Sequence, residues 1–304
     1  MSNAHPSRRV LLAAAVVAHV PTAAANSVFI PANERALQAL AALERRSGGR
    51  LGAFFLGTET GSGVGHRSSE RFAMCSTFKM PLAAAILRAA DQGRPSLDAV
   101  VSYTKADLVT HAPVTEVNLQ TGGMTIRALA EAAQIHSDNA AANLLLKQIG
   151  GPNGLTEFFR DVGDDFTRLD RYEPEMNLVK PGDERDTTTP GAMASTAAKI
   201  LTGGVLSPTA RELLIGWMVA TTTGTKRIRA GLPPAWRAGD KTGTMWGEVG
   251  GDKYNDVAIV WPAGRSPVII TAYYNPAKAA DKILDEYQAV LAEVGRIATT
   301  WIGA

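Results

Sequence analysis

The strongest constraint on the fold is where the strand-like runs lie. Leu51-Gly52-Ala53-Phe54-Phe55-Leu56 sits near the start of the chain. Val257 to Trp261 and Val268 to Tyr274 sit near its end, joined by a Pro262-Ala263-Gly264-Arg265-Ser266-Pro267 turn of hairpin type. Val64 to Arg67, after the Thr60-Gly61-Ser62-Gly63 turn, reads as a further short strand. Asn33 to Arg46 carries Ala36, Leu37, Leu40 and Leu43 on one side and reads as an amphipathic helix, and Ala279 to Trp301 reads as a closing one. Between the two groups of strands the chain is helical in tone from about Thr77 to Val219, most clearly over Pro81 to Leu87 and Ala140 to Leu146. Strands at both ends must meet in one sheet if they are to bury their faces. The expected class is therefore α/β: an antiparallel sheet built from residues 26–75 and 220–304, flanked by helices, with an all-α domain inserted over residues 76–219. Periodicity fails over residues 168–190, where Pro174, Pro181, Asp183, Glu184, Arg185 and Asp186 crowd together, so that stretch reads as a functional loop.

Composition excludes several partners. The 304 residues are 45% hydrophobic, with 31 Lys and Arg against 29 Asp and Glu. The first 25 residues contain Arg8 and Arg9 and no acid, so the remainder is neutral, with 29 residues of each sign. A neutral chain lacks the basic face that nucleic acid requires. No apolar run is long enough to span a bilayer. Residues 1–25 themselves read as a signal peptide. Val10 to Val17 forms a short apolar core after the arginine pair, and Ala23-Ala24-Ala25 suits cleavage after Ala25. Ser7-Arg8-Arg9-Val10-Leu11-Leu12 resembles a twin-arginine export signal, which implies a periplasmic or secreted protein. Cys75 is the only cysteine, which leaves the core, not disulfides, to hold the fold. None of His5, His19, His66, His111 and His136 forms a ligand pair, so no metal and no cofactor is expected.

Three short motifs carry chemistry. In Ser76-Thr77-Phe78-Lys79 the hydroxyl and amine share one helical face, so the amine can reach the hydroxyl and activate it. Spacing alone is weak evidence, since Ser102-Tyr103-Thr104-Lys105 repeats it in a strand-like stretch and reads as solvated surface. Ser137-Asp138-Asn139 opens the helical run through Leu146, where Asp138 or Asn139 could equally be a plain helix cap. Lys241-Thr242-Gly243 begins the C-terminal strands. In this order and at these long separations, the three resemble the signature of class A β-lactamases and penicillin-binding proteins. A fourth motif, Glu173-Pro174-Glu175-Met176-Asn177, divides those two groups. Hydrolysis of an acyl ester needs a carboxylate to aim and deprotonate water, and Glu173 with Asn177 suits that task. Arg171 and Asp186 are placed to bridge the two ends of the loop.

From about Asn33 to the C-terminus the sequence resembles class A serine β-lactamases, through residues 168–175 and 183–188 as well as the motifs. The resemblance implies a β-lactamase/transpeptidase-like fold with the site in a cleft between its two parts. It implies that Ser76 attacks the β-lactam carbonyl, with Lys79 or a water held by Glu173 taking the proton. The backbone N–H groups of Ser76 and Thr244 would form the oxyanion hole. Ser137 would relay the proton to the departing nitrogen beside Lys241, and Asn139 would hold the substrate's side-chain amide. Lys241, Thr242, Gly243 and Thr244 would receive its carboxylate, and Glu173 with Asn177 would drive deacylation.

Departures from the family pattern bear on substrate range. No arginine occupies Lys253-Tyr254-Asn255-Asp256, and Arg227 is taken as the partner of the substrate carboxylate, with Arg229 structural. His111 stands at the cleft-wall position where many members have tyrosine. Cys75 resembles the carbapenemase arrangement, but Met245 and Trp246 follow Thr244, so the matching cysteine is absent and Cys75 is read as buried packing. The expected activity is hydrolysis of penicillins and cephalosporins by a monomer, with carbapenems left open. The rival is a β-lactam sensor or penicillin-binding protein that acylates without deacylating; another serine hydrolase or a purely structural role fits the motifs less well.

Overall fold

The computed structural model describes residues 1–2, 31–247 and 250–303, and residues from Pro31 onward form one compact unit. The signal-peptide reading, apart from residues 1–2, lies outside the described residues.

A five-stranded antiparallel sheet is assembled from both parts of the chain. Its strands are β1 (Arg50–Gly57), β2 (Gly63–His66), β7 (Arg237–Met245), β8 (Lys253–Trp261) and β9 (Val268–Asn275), in the order β2-β1-β9-β8-β7. The register pairs Leu51 with Tyr274 and Phe55 with Ile270, so the N-terminal strand lies against the last one. Both faces of the sheet are buried, which is why β8 and β9 read as continuous apolar runs. Tyr254, Ala258, Ile270 and Tyr274 face a core shared with α1 (Ala32–Ser47) and α8 (Asp285–Ile302). Val257, Ile259, Ile269 and Tyr273 face the larger helical core.

That second core is built on α2 (Lys79–Asp91), buried over the whole stretch Lys79 to Leu87. Around it stand α3 (Ile126–Ile135), α4 (Asn139–Gln148), α5 (Gly151–Asp161), α6 (Pro190–Leu201) and α7 (Pro208–Ala220). Local chemistry sets several helix starts. Thr125, Asp138, Thr189 and Ser207 each accept a backbone N–H at a helix N-terminus, and Pro190 and Pro208 open the two helices that follow Thr189 and Ser207. Gly52 is required in β1, since a Cβ there would stand 2.4 Å from the Phe72 ring and 2.9 Å from Pro190.

Three features depart from the sequence reading. The strand that carries Lys241-Thr242-Gly243 begins at Arg237, so the motif lies inside β7 and not at its start. The stretch read as helical contains three short strands, β4 (Val100–Ser102), β5 (Gly123–Thr125) and β6 (Thr187–Thr188); β4 pairs with β5, and β6 pairs with β3 (Phe72–Ala73). The last helix begins at Asp285 instead of Ala279. Its missing turns have lost their N–H groups to tertiary partners: Ala280 donates to the Asp252 carboxylate at 3.2 Å and Leu284 to the Tyr254 hydroxyl at 2.9 Å.

Candidate active site

Cys75–Phe78 is a single 3-10 turn that runs directly into α2. In that geometry residues i and i+3 eclipse, and Lys79 Nζ donates to Ser76 Oγ at 2.9 Å. Cys75 has a φ of 44°, a left-handed conformation that turns the chain sharply into the serine. β7 passes close behind this turn. A Cβ at Gly243 would lie 2.7 Å from Met74 O and 3.2 Å from Ser76 N, so only glycine lets the strand approach the serine backbone.

Ser137 has a φ of 60°, and Asp138 caps α4 by accepting Ala141 N–H at 2.8 Å. The Asp138 carboxylate also takes the Val114 and Thr115 N–H groups, each at 2.9 Å, tying the 111–121 segment to the cap. The cap reading therefore holds for Asp138, while Asn139 turns inward. Its Oδ1 lies 2.5 Å from Lys79 Nζ, its Nδ2 donates to Thr110 O at 2.8 Å and its backbone N–H to His111 O at 2.9 Å. His111 is exposed, with φ 62° and its ring Nε2 3.1 Å from His136 O. It meets the site through its carbonyl.

Glu173 arrives from the 168–190 loop. Its Oε1 lies 3.2 Å from Lys79 Nζ and 3.4 Å from Ser76 Oγ, while Oε2 accepts Asn177 Nδ2 at 2.6 Å. Both Lys79 and Glu173 side chains are fully shielded from solvent. The Glu173–Pro174 peptide is cis. Arg171 Nε donates to Asp186 Oδ2 at 2.6 Å, and Asp186 Oδ1 takes the Asp170 and Arg171 N–H groups at 2.7 and 3.0 Å, so the loop is clasped at its base. On the other wall Lys241 Nζ donates to Ser137 Oγ at 3.0 Å, and Thr242 Oγ1 meets Thr223 Oγ1 at 2.6 Å. Arg227 is buried behind β7. Its Nη2 donates to Thr244 Oγ1 at 2.5 Å and its Nη1 to Gly243 O at 2.8 Å and Asn255 O at 2.7 Å. Arg229 instead clamps the buried Asp240 carboxylate at 2.5 and 2.9 Å. One buried ammonium thus links a nucleophile, a relay hydroxyl and a carboxylate, a set able to support acyl transfer followed by hydrolysis.

Residues 33–302 match the profile of the Beta-lactamase enzyme family. Beta-lactamase AST-1 of Nocardia asteroides is 42% identical over 307 residues, covering 97% of this chain and 96% of that protein. The carbapenem-hydrolyzing beta-lactamase KPC of Klebsiella oxytoca is 43% identical over 265 residues, covering 86% and 87%. An ancestral Gram-negative class A β-lactamase structure superposes with a TM-score of 0.81 at 52% identity, covering 86% of this chain and 98% of that one. The chain is a class A serine β-lactamase. It hydrolyses β-lactams and so confers antibiotic resistance. A β-lactamase structure from Xanthomonas campestris matches it with a TM-score of 0.84 at 43% identity, covering 90% of this chain and all of that one.

Electrostatics in this β-lactamase follow from burial. Desolvation pulls the Lys79 pKa below the ordinary lysine value, against the raising pull of Glu173. Lys241 is pushed well below its ordinary value by burial and by the charge of Lys79, with Asp240 opposing. Burial pushes the Cys75 thiol up to about 12. Cys75 packs with Ala73, Val179 and Met245, so the methionine fills the space beside the lone sulfur. Among the described residues no cluster suited to a metal ion is present, and no helix is long and apolar enough to cross a membrane.

Asn143 was not singled out from the sequence. Its side chain pairs twice with the Glu173 backbone, donating to O at 2.9 Å and accepting from N at 3.0 Å. The available signal was a polar residue inside the Ala140 to Leu146 run, one turn after Asn139 and on the same helical face.

Proposed function

We propose that this enzyme opens the β-lactam ring of penicillins and cephalosporins through an acyl-enzyme on Ser76 that Glu173 and Asn177 resolve. The observation that carries this reading is the Glu173 carboxylate shared between Lys79 Nζ at 3.2 Å and Asn177 Nδ2 at 2.6 Å. Asn177 Oδ1 is buried and unpaired beside it, a free acceptor for the attacking water. Ser76 attacks, with Lys79 or a water on Glu173 as base; a lysine of lowered pKa is the better base near neutrality. Backbone N–H groups of Ser76 and Thr244 receive the oxyanion, a contribution of about 3 kcal/mol per donor. Ser137, held by Lys241, protonates the departing nitrogen. Asn139 holds the substrate side-chain amide, with His111 on the cleft rim. Lys241, Thr242, Gly243 and Thr244 take the carboxylate, backed by Arg227. Residues 1–25 direct export, with cleavage after Ala25, to give a periplasmic or secreted monomer. Carbapenem turnover is not assigned: the relative named for it is only 43% identical, and Cys75 has Met245 opposite it in place of a second cysteine.

Mass spectrometry of the mature enzyme and of Glu173→Ala during incubation with a chromogenic cephalosporin tests this. The parent is expected to turn over many times while the variant accumulates an adduct on Ser76. A long-lived adduct on the parent would mean a sensor or penicillin-binding protein and would refute the role given to Glu173.

A further inference from the structure

Beside the 168–190 loop lies an open cleft of about 540 Å³, lined by none of the residues placed in the catalytic site. Its floor is apolar: Phe72, Ala73 and Val179 are buried, and Pro181 forms part of the rim. Its charges are unequally satisfied. The acids on its walls are Glu70, Asp183 and Glu184, and the first two are already paired, Glu70 with one arginine of the cleft and one outside it, Asp183 with arginines outside it. Glu70 binds Arg50 at 2.8 Å and Arg67 at 2.9 Å, and Asp183 binds Arg185 at 2.9 Å. Glu184 is largely exposed and stands 3.6 Å from Arg71. The two lysines differ. Neither Lys180 nor Lys253 is paired with a carboxylate among the described residues.

Lys253 is the telling group. It is buried, with 3% of its surface exposed, and its ammonium donates to Gly250 O at 2.6 Å and Gly251 O at 3.0 Å. An ammonium has three donors, so one remains. Burial pulls its pKa below the ordinary lysine value, as expected for a cation whose partners are carbonyl dipoles. A buried cation at the wall of an open cleft of mixed polar and apolar lining is a site for an anion that brings some hydrophobic surface of its own. An inorganic oxyanion would meet the lysines and leave the exposed Pro181 rim uncovered.

We infer that this cleft is a second ligand site that takes a small organic carboxylate with a flat apolar body, the carboxylate against Lys253 and Lys180 and the body over Val179 and Pro181. The test is a ¹⁵N–¹H NMR titration of the mature enzyme with 2-naphthoate, with inorganic phosphate in a parallel arm. Expected are saturable shifts at Ala73, Val179 to Asp183 and Lys253. Lys253→Met is expected to weaken binding at least tenfold. Lys180→Glu, at an exposed position, is expected to weaken it about threefold. Shifts confined to Ser76, Ser137 and Thr244, an affinity unchanged in both variants, or phosphate binding as tightly as naphthoate would each overturn the inference.

Discussion

Asn143 grips Glu173 by its peptide groups and leaves the carboxylate free. The amide donates to Glu173 O at 2.9 Å and accepts from Glu173 N at 3.0 Å, so a helix of the buried core fixes the height of a loop residue over Ser76. Asn143→Ala removes both bonds and none of the reacting groups. The expected result is a fall in kcat of about 10- to 100-fold, the scale of a misplacement near 1 Å, with acyl-enzyme accumulating in the steady state. Burst kinetics on a cephalosporin measure this. A rise in KM with kcat unchanged would mean that Asn143 has no part in deacylation.

The two neighbouring arginines divide their work. Arg227 spends its donors on Thr244 Oγ1 and on the carbonyls of Gly243 and Asn255, while Arg229 neutralises the buried Asp240. A lysine cannot reproduce the planar fork of Arg227. Arg227→Lys is therefore expected to raise KM about tenfold or more for carboxylate-bearing β-lactams through a displaced Thr244. Arg229→Ala strands a buried carboxylate and is expected to cost about 3 kcal/mol of stability, with KM unchanged in the folded fraction. Thermal melts and steady-state kinetics on both variants separate the two roles.

What could be read from the sequence was what neighbouring residues determine. The Ser76-Thr77-Phe78-Lys79 turn, the Asp138 cap and the first helix, expected over Asn33 to Arg46 and found over Ala32–Ser47, rest on spacing within a few positions. The start of α8 did not, because Asp252 and Tyr254, some thirty residues upstream, take the N–H groups its first turns would need. Nor could sequence find the link from Asn143 to Glu173, which spans thirty positions and depends on how the loop lies over α4. The short pairings of β3 with β6 and β4 with β5 escaped for the same reason: strands of two or three residues carry no period.

Cys75 sits beside the nucleophile yet is chemically shut away. Full burial pushes its thiol up to about 12, so the reactive thiolate is scarce near neutral pH. Ellman's reagent is expected to leave the native enzyme unlabelled, with activity intact, and to label one thiol per chain after unfolding. Native labelling at the rate of a free thiol would mean that the Cys75, Val179 and Met245 contact opens readily.

Glu44 anchors α1 to the sheet. It accepts from Leu51 N–H at 2.9 Å, from Arg67 at 2.7 Å, and meets His66 at 2.9 Å. Burial alone would raise its pKa, but these bonds outweigh it and hold the carboxyl at about 2 against an ordinary 4.5. A depressed folded-state pKa contributes stability that is complete above 4.5 and is lost as pH falls through about 2. Glu44→Gln is expected to cost about 1 kcal/mol at pH 6, roughly 2 °C in Tm, and progressively less as the pH is lowered. An equal deficit at pH 6 and pH 3 would show that the effect is packing and not charge.

Asp256 carries the opposite sign. It lies across from Thr242 in the β7–β8 register and is completely buried. Its Oδ2 accepts Ile228 N–H at 3.1 Å and its Oδ1 has no partner. Burial, then the nearby charge of Asp240, pushes its pKa well above the ordinary carboxyl value, with Arg227 and Arg229 pulling the other way. A carboxyl whose folded-state pKa is raised binds its proton more tightly in the native state. Its contribution is therefore complete below about 3.8 and is lost as pH climbs toward the folded value. At neutral pH the native protein either takes up a proton or tolerates a buried charge, and an amide of the same shape needs neither. Asp256→Asn is thus expected to match the parent in Tm near pH 4 and to exceed it by a few degrees at pH 8, an increment on the order of 1–2 kcal/mol. Melting curves of the two proteins across that range decide the matter: a variant less stable than the parent at pH 8 would mean that Asp256 is a working carboxylate, charged and compensated by Arg227.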